Sequence, residues 1–291
     1  MGRLQEIQNE FQTQMDDGPA MVQLGDASIA SPFTSKSPSI LTTTHIIKQG
    51  RCTLTTTLQM YKILALNCLI SAYMLSSLYL HGIKQGDQQA TVFGLAIAIY
   101  FFLMSRSKPA KKLAPERPPS NIFCGYFLLS VFGQFCVHMY SLLYVVNMCE
   151  PYVDPTKPEM KRGGDFKPNI INSAVFLVSV LMQVNTFATN YCGMPWMESL
   201  YENKGLFYAL GFSWCSCTLA ATDSFPILND ALELTTLPTN EFRNNLLMVM
   251  LIDTAAVHLI EFIVRRVFLP PAASRSRAKI ASTSSRKLKR E

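Results

Sequence analysis

Apolar residues along this chain gather into six long runs: Leu58–Leu80, Gln88–Met104, Asn121–Met148, Asn169–Tyr191, Gly205–Ala221 and Leu246–Phe268. A helix needs roughly 20 mostly apolar residues to cross a hydrocarbon core about 30 Å thick. Four runs meet that length easily, while Gln88–Met104 and Gly205–Ala221 are short but in range. Inside lipid every backbone amide must bond within its own segment, so the pattern predicts helices. The expected fold class is an all-α membrane protein with six transmembrane helices. Residues 1–57 read as a cytosolic segment leading through His45–Thr57 into the first span, 58–268 as the membrane region, and 269–291 as a basic, disordered tail. Thr53, Thr55, Thr56 and Thr57 are weak helix formers, yet the direct run into the first span predicts an unusually long helix crossing the membrane surface. Pro151, Pro155, Pro158 and Pro168 predict a third loop without regular structure, and Pro115, Pro118 and Pro119 break the second.

Charge is informative loop by loop rather than as the formal +6. The loop after the second run carries Arg106, Lys108, Lys111, Lys112 and Arg117 against Glu116, and the tail is dense in Arg and Lys. The loop after the fifth run is acidic, with Asp223, Asp230, Glu233 and Glu241. Basic loops stay in the cytoplasm, so both termini are expected to be cytosolic. The loop Cys192–Lys204 is the poorest fit, since it must share that side while carrying Glu198 and Glu202. Met1–Gln23 has no apolar core and is not a signal peptide. The eight cysteines do not read as a disulfide framework, and Cys215-x-Cys217 lacks the second pair a zinc site needs, so no metal site is expected. No nucleic-acid partner is expected; the lipid bilayer is.

Polar residues inside the runs are the candidates for function. Asn172, Ser179, Gln183, Thr186 and Asn190 of the fourth run fall within roughly 60° of one helix face at ~100° per residue. Such a stripe must meet other helices or a wet cavity; interhelical hydrogen bonding and the wall of a substrate cavity both remain open. The first run offers Asn67 but no charge between Lys62 and Lys84. In the sixth, Asp253 is expected to be protonated, paired or beside water. Glu261 stands one turn from Arg265, which predicts a local ion pair. His138 reads as a packed, hydrogen-bonded histidine.

Several motifs resemble one family closely. Lys48-Gln49-Gly50-Arg51 feeds the long helix. Leu24-Gly25-Asp26-Ala27-Ser28-Ile29-Ala30-Ser31-Pro32-Phe33-Thr34-Ser35-Lys36 and Gln59-Met60-Tyr61-Lys62-Ile63-Leu64-Ala65-Leu66-Asn67 lie on either side of it. Further on come Ser105-Arg106-Ser107-Lys108-Pro109, Glu116-Arg117-Pro118, Thr186-Phe187-Ala188, Asn190-Tyr191, Pro195, Met197-Glu198-Ser199 and Glu202-Asn203-Lys204. In order and spacing these resemble the endoplasmic-reticulum branch of the fifth class of P-type ATPases, from about Leu24 to Phe268.

The resemblance implies that the six runs are the last six of ten core helices, preceded by the end of the phosphorylation domain and the stalk. It implies an ATP-driven dislocase, using ATP and Mg2+ in the full-length protein, that extracts mistargeted transmembrane helices from the endoplasmic-reticulum membrane. Its partners would be those helices and the missing N-terminal half of the same ATPase. The Asp-Lys-Thr-Gly-Thr, Thr-Gly-Glu and Gly-Asp-Gly-x-x-Asn-Asp motifs do not occur here, so no catalytic residue is expected in this chain and it should be inactive alone. The family's fourth core helix, whose prolines shape the substrate pocket, would also lie upstream. Cation pumps of the superfamily place a carboxylate near the middle of the helix matching the first run, where this chain has Asn67. With Asn67 and neutral neighbours there, a dedicated divalent-cation site is poorly supported, so a cation-transporting, manganese-like ATPase is the alternative reading and a non-enzymatic membrane scaffold fragment a third. Lys287 and Lys289 near the end resemble a dibasic retrieval signal, alongside the plainer reading of a basic flank on anionic lipid.

Overall fold

A computed structural model describes residues 39–119, 121–153 and 166–268. The motif Leu24–Lys36, the retrieval candidates Lys287 and Lys289 and most of the third loop lie outside them. The chain divides into two units, 1–44 and 45–291. Of the first, only the start of the first helix is described, where Ser39 Oγ accepts the Leu41 amide at 3.3 Å.

The described elements are α1 (Leu41–Leu80), α2 (Asp87–Ser105), α3 (Gly125–Cys149), α4 (Ile170–Asn190), α5 (Lys204–Ala221), α6 (Pro226–Ala231) and α7 (Asn240–Phe268). All six apolar runs are helical. Five helices, α1, α2, α3 with its continuation, α4 and α7, are long and apolar enough to cross a membrane. The fifth run departs from expectation. Within the 18 residues of α5, Lys204, Tyr208, Ser213, Trp214 and Ser216 dilute the apolar character, so that α5 is not among those five. Helix α1 is the long rod anticipated, 40 residues or about 60 Å at roughly 1.5 Å per residue. Of the third loop only residues 150–153 and 166–169 are described. Pro151 opens a 3-10 turn, Glu150–Tyr152, because a proline costs no hydrogen bond at the first positions of a turn.

Helix α4 is the axis of the bundle. In its most apolar window 89 % of the residues are buried, and no other spanning helix exceeds 39 %. Helices α3, α5 and α7 surround it, and α3 and α7 pack along each other. One apolar cluster joins Leu142, Val145, Leu177, Val178, Leu181, Leu246 and Met250. A second centres on Phe187, against which Tyr100 and Phe101 pack edge-on with ring centroids 5.0 and 4.9 Å away.

At the Asn190 end of α4 the α2–α3 and α4–α5 loops are laced together. Pro109 and Met197 form an antiparallel bridge, Ala110 donates to the Trp196 carbonyl at 3.2 Å and Glu198 to the Lys108 carbonyl at 3.0 Å. Lys48 reaches the Lys111 carbonyl at 2.6 Å, and Arg51 bonds the carbonyls of Ala114 and Glu116. The two cations of Lys48-Gln49-Gly50-Arg51 thus tie α1 to the second loop. That loop cannot bond its own carbonyls regularly, since Pro109, Pro115, Pro118 and Pro119 contribute no amide donors.

Candidate functional site: a polar interior around α4

Tyr126, Ser130, Gln134 and His138 follow one another at four-residue intervals on α3, so they form one vertical row on a single face. That row faces the acids of α7. Glu261 accepts from Lys62 Nζ at 2.7 Å, from the Tyr126 hydroxyl at 2.5 Å, from Gln134 Nε2 at 3.0 Å and from the Ser130 hydroxyl. Lys62 also lies over the Tyr126 ring, 4.8 Å from its centroid. The local Glu261–Arg265 pair expected from spacing is not what forms. Arg265 instead donates to the main-chain carbonyls of Cys192 and Met194 at 3.0 and 3.4 Å. The reason is burial: a carboxylate shut away from water must have its charge and lone pairs met on the spot, and Glu261 faces α1 and α3 rather than its own helix surface.

Further along α3, His138 Nδ1 lies 2.9 Å from Asp253 Oδ1. Asn185 donates to the other carboxylate oxygen at 3.3 Å and to Thr254 at 2.9 Å. Asp253 is thus paired within the bundle. Nε2 of His138 has no partner.

The expected stripe on α4 does not act as one surface. Asn190 exchanges two hydrogen bonds with Gln134, at 2.8 and 3.1 Å. Asn172 accepts from Gln89 at 2.8 Å and donates to the Lys84 carbonyl at 3.3 Å. Thr186 bonds back to the Met182 carbonyl at 2.8 Å. Only Ser179 and Gln183, in the middle, have unpartnered polar atoms. Gln183 lines a cavity of about 400 Å³ between α2, α4, α5 and α6. Asn67 is buried with both amide atoms unpartnered, but it does not line that cavity. The sequence reading missed Lys62, Tyr126, Ser130, Gln134, Gln89 and Asn185. The four-residue spacing on α3 would have signalled the row; Asn185 lies off the stripe and carried no such signal. Among the described residues no three His, Cys, Asp or Glu side chains cluster closely enough to hold a metal ion.

Apolar helices around an interior of paired acids, bases and carboxamides define a multi-pass helical membrane protein. No family model matches the chain, whereas individual proteins match most of it. It is 42 % identical over 259 residues, 89 % of its length, to the endoplasmic reticulum transmembrane helix translocase spfA of Aspergillus fumigatus. It is 42 % identical over 273 residues, 92 % of its length, to the endoplasmic reticulum transmembrane helix translocase of Saccharomyces cerevisiae. Against the "Probable manganese-transporting ATPase PDR2" of Arabidopsis thaliana it is 44 % identical over 250 residues. The chain belongs to the endoplasmic-reticulum branch of the fifth class of P-type ATPases. It spans 20 to 22 % of the length of these relatives.

Proposed function

We propose that this chain is the C-terminal membrane portion of an ATP-driven translocase that removes mistargeted transmembrane helices from the endoplasmic-reticulum membrane. It supplies membrane helices and part of the cavity that receives the guest, in a multi-pass arrangement in which α5 crosses along with the five longer apolar helices, so that both termini are cytosolic. The observation that carries this reading is the likeness, over about nine-tenths of the chain, to relatives named transmembrane helix translocase. The unpartnered Gln183 beside a cavity agrees with it. ATP and Mg2+ would be bound by parts of the full-length protein outside this chain, and the rest of that ATPase is its first partner. Lys287 and Lys289 would hold the protein in the endoplasmic reticulum. The N-terminal part, 1–57, would be the end of the phosphorylation domain and the stalk.

The name of the Arabidopsis relative favours manganese transport as the second reading. Against it, the two intramembrane acids are already engaged: Glu261 by Lys62 and Asp253 by His138. A divalent cation asks for six or more oxygens in one place. The test is ATP turnover by the purified full-length protein in lipid nanodiscs. The translocase reading expects turnover to rise with an added hydrophobic helical segment and to ignore manganese. Stimulation by manganese alone, abolished in Asp253→Asn, would overturn it.

A further inference from the structure

The two buried acids of α7 are balanced in different ways. Glu261 faces a permanent cation, Lys62 Nζ at 2.7 Å. Asp253 has no such partner: among the described residues neither a lysine nor an arginine pairs with it. Its Oδ1 meets His138 Nδ1 at 2.9 Å, and its Oδ2 meets only the neutral amide of Asn185, at 3.3 Å. Both residues sit mid-helix, Asp253 within Asn240–Phe268 and His138 within Gly125–Cys149. Asp253 is 1 % exposed and His138 2 %, and further protein around this bundle can only deepen that burial.

The surrounding helices leave the charge of this pair uncorrected. Helix α4, packed against both α3 and α7, contributes Asn185 and has no ionisable side chain from Ile170 to Asn190. Helix α3 carries no acid, lysine or arginine, and its nearest tyrosines, Tyr140 and Tyr144, are exposed. On α7, His258 is bonded to Thr189 and to the Thr254 carbonyl, and Arg265 to the Cys192 carbonyl. Helix α1 brings Tyr73, edge-on to Phe135, and Lys62, which is already engaged. Helix α5 brings Cys217, which donates to the Leu177 carbonyl. An ionised Asp253 can only accept, so the bonded Nδ1 must carry the hydrogen. A neutral ring then leaves a bare lone pair on Nε2, which has no partner. In that state the site holds one net negative charge away from water, which is costly. One further proton on Nε2 makes the ring an imidazolium and brings the site to zero. The new Nε2–H still lacks an acceptor, a smaller deficit than an unbalanced charge.

We infer that His138 and Asp253 form a proton-binding site in the middle of the membrane region, with the proton taken on Nε2 and Asp253 supplying the opposite charge. The bound proton does for Asp253 what Lys62 does for Glu261. It comes from water and returns to water, so no co-reactant is needed. Helices α3, α4 and α7 all contribute to the site. Losing the proton therefore leaves a net charge where three helices meet and weakens their packing. ATP turnover by the full-length protein, which needs those helices to hold together, falls as protons are withdrawn. This rests on membership of the P-type ATPases and not on what the protein moves.

The experiment uses the full-length ATPase in lipid nanodiscs, with ATP turnover and thermal unfolding read from about pH 5 to 9. The proteins compared are wild type, Asp253→Asn, His138→Lys and His258→Gln. Asn keeps the shape of Asp253 and still accepts from His138, so it removes the charge that calls for the proton while sparing the packing. His138→Lys puts a permanent cation opposite Asp253 in place of the proton. Wild-type turnover is expected to fall on the alkaline side by about tenfold per pH unit, the slope of a single proton. Both Asp253→Asn and His138→Lys should flatten that limb, so that the ratio of variant to wild-type turnover rises with pH, and His258→Gln should keep it. Over the same range the unfolding temperature of wild type should drop relative to Asp253→Asn. The two substitutions work by opposite means, so either one that folds decides the matter. A limb that survives in either folded variant overturns the inference, as does a wild-type profile without an alkaline limb. Loss of the limb in His258→Gln assigns the proton to another histidine and overturns it too.

Discussion

Replacing either member of the Lys62–Glu261 pair should destabilise the full-length protein, and by unequal amounts. The two side chains meet at 2.7 Å with 3 % and 8 % of their surfaces exposed, so water cannot take over for a lost partner. Breaking such a pair typically costs about 3–5 kcal/mol, because one charge is left stranded. Here the two orphans fare differently. In Lys62→Met the Glu261 carboxylate keeps three neutral donors, Tyr126, Ser130 and Gln134, each worth about 1.5–3 kcal/mol when the acceptor is charged. In Glu261→Gln the Lys62 ammonium keeps a Tyr126 hydroxyl at 3.4 Å and the ring beneath it. Glu261→Gln should therefore cost the full ~3–5 kcal/mol. Lys62→Met should cost less by about 1–2 kcal/mol, since charge-assisted hydrogen bonds offset part of the loss. The double variant Lys62→Met/Glu261→Gln should be more stable than Glu261→Gln alone, because it leaves no stranded charge. Thermal unfolding of detergent-solubilised full-length protein, arranged as a double-mutant cycle, measures all three. Additive single effects, or a Lys62→Met loss equal to that of Glu261→Gln, would refute the argument by showing the pair to be solvated.

Two further outcomes follow from the same geometry. Gln134→Leu strips Asn190 of its reciprocal pair and Glu261 of one donor, while leaving the Asn190 bond to the Thr186 carbonyl at 2.9 Å; an expected loss of about 1–3 kcal/mol is checked by the same unfolding assay, and Asn190→Leu in the same background should recover only the Asn190 part of it. Outside the membrane, Glu202 accepts from the Ser199 amide and hydroxyl at 2.9 and 3.1 Å, which holds its carboxyl below the ordinary carboxylate range. A depressed folded value means the contribution is full above the ordinary glutamate pKa near ~4.3 and is lost as pH falls through the folded one, so limited proteolysis of this loop should quicken only in acid, and Glu202→Gln should bring that sensitivity to neutral pH.

The helices were legible because membrane spans are the strongest signal an apolar run can carry: all six runs are helical, and four residues of Asn121–Met148 were trimmed, with α3 beginning at Gly125. Helix α7 starts at Asn240 rather than Leu246, since residues such as Asn240, Glu241 and Arg243 suit a helix but not lipid. Pattern located three of the four carboxamides of α4, yet could not distinguish Asn190, which has a partner, from Gln183, which does not. That distinction depends on what faces each position from another helix. Glu261 makes the same point. Spacing offers only neighbours such as Arg265, whereas the partner chosen, Lys62, lies 199 residues away in sequence and is set by how α1, α3 and α7 pack. The short α6 carried no periodicity long enough to be seen.

The place where α1 is fastened has a mechanical consequence. Lys62 divides the stretch from His45 to Leu80 almost evenly, leaving arms of about 26 and 27 Å on either side at roughly 1.5 Å per residue. A stiff rod held at its midpoint behaves as a balanced lever. Tilting it about 5° displaces each tip by roughly 2 Å in opposite directions, from helix rise alone. Because Lys48 and Arg51 tie the His45 arm to the second loop, that loop must travel with the arm whenever the rod tilts about the Lys62–Glu261 ion pair.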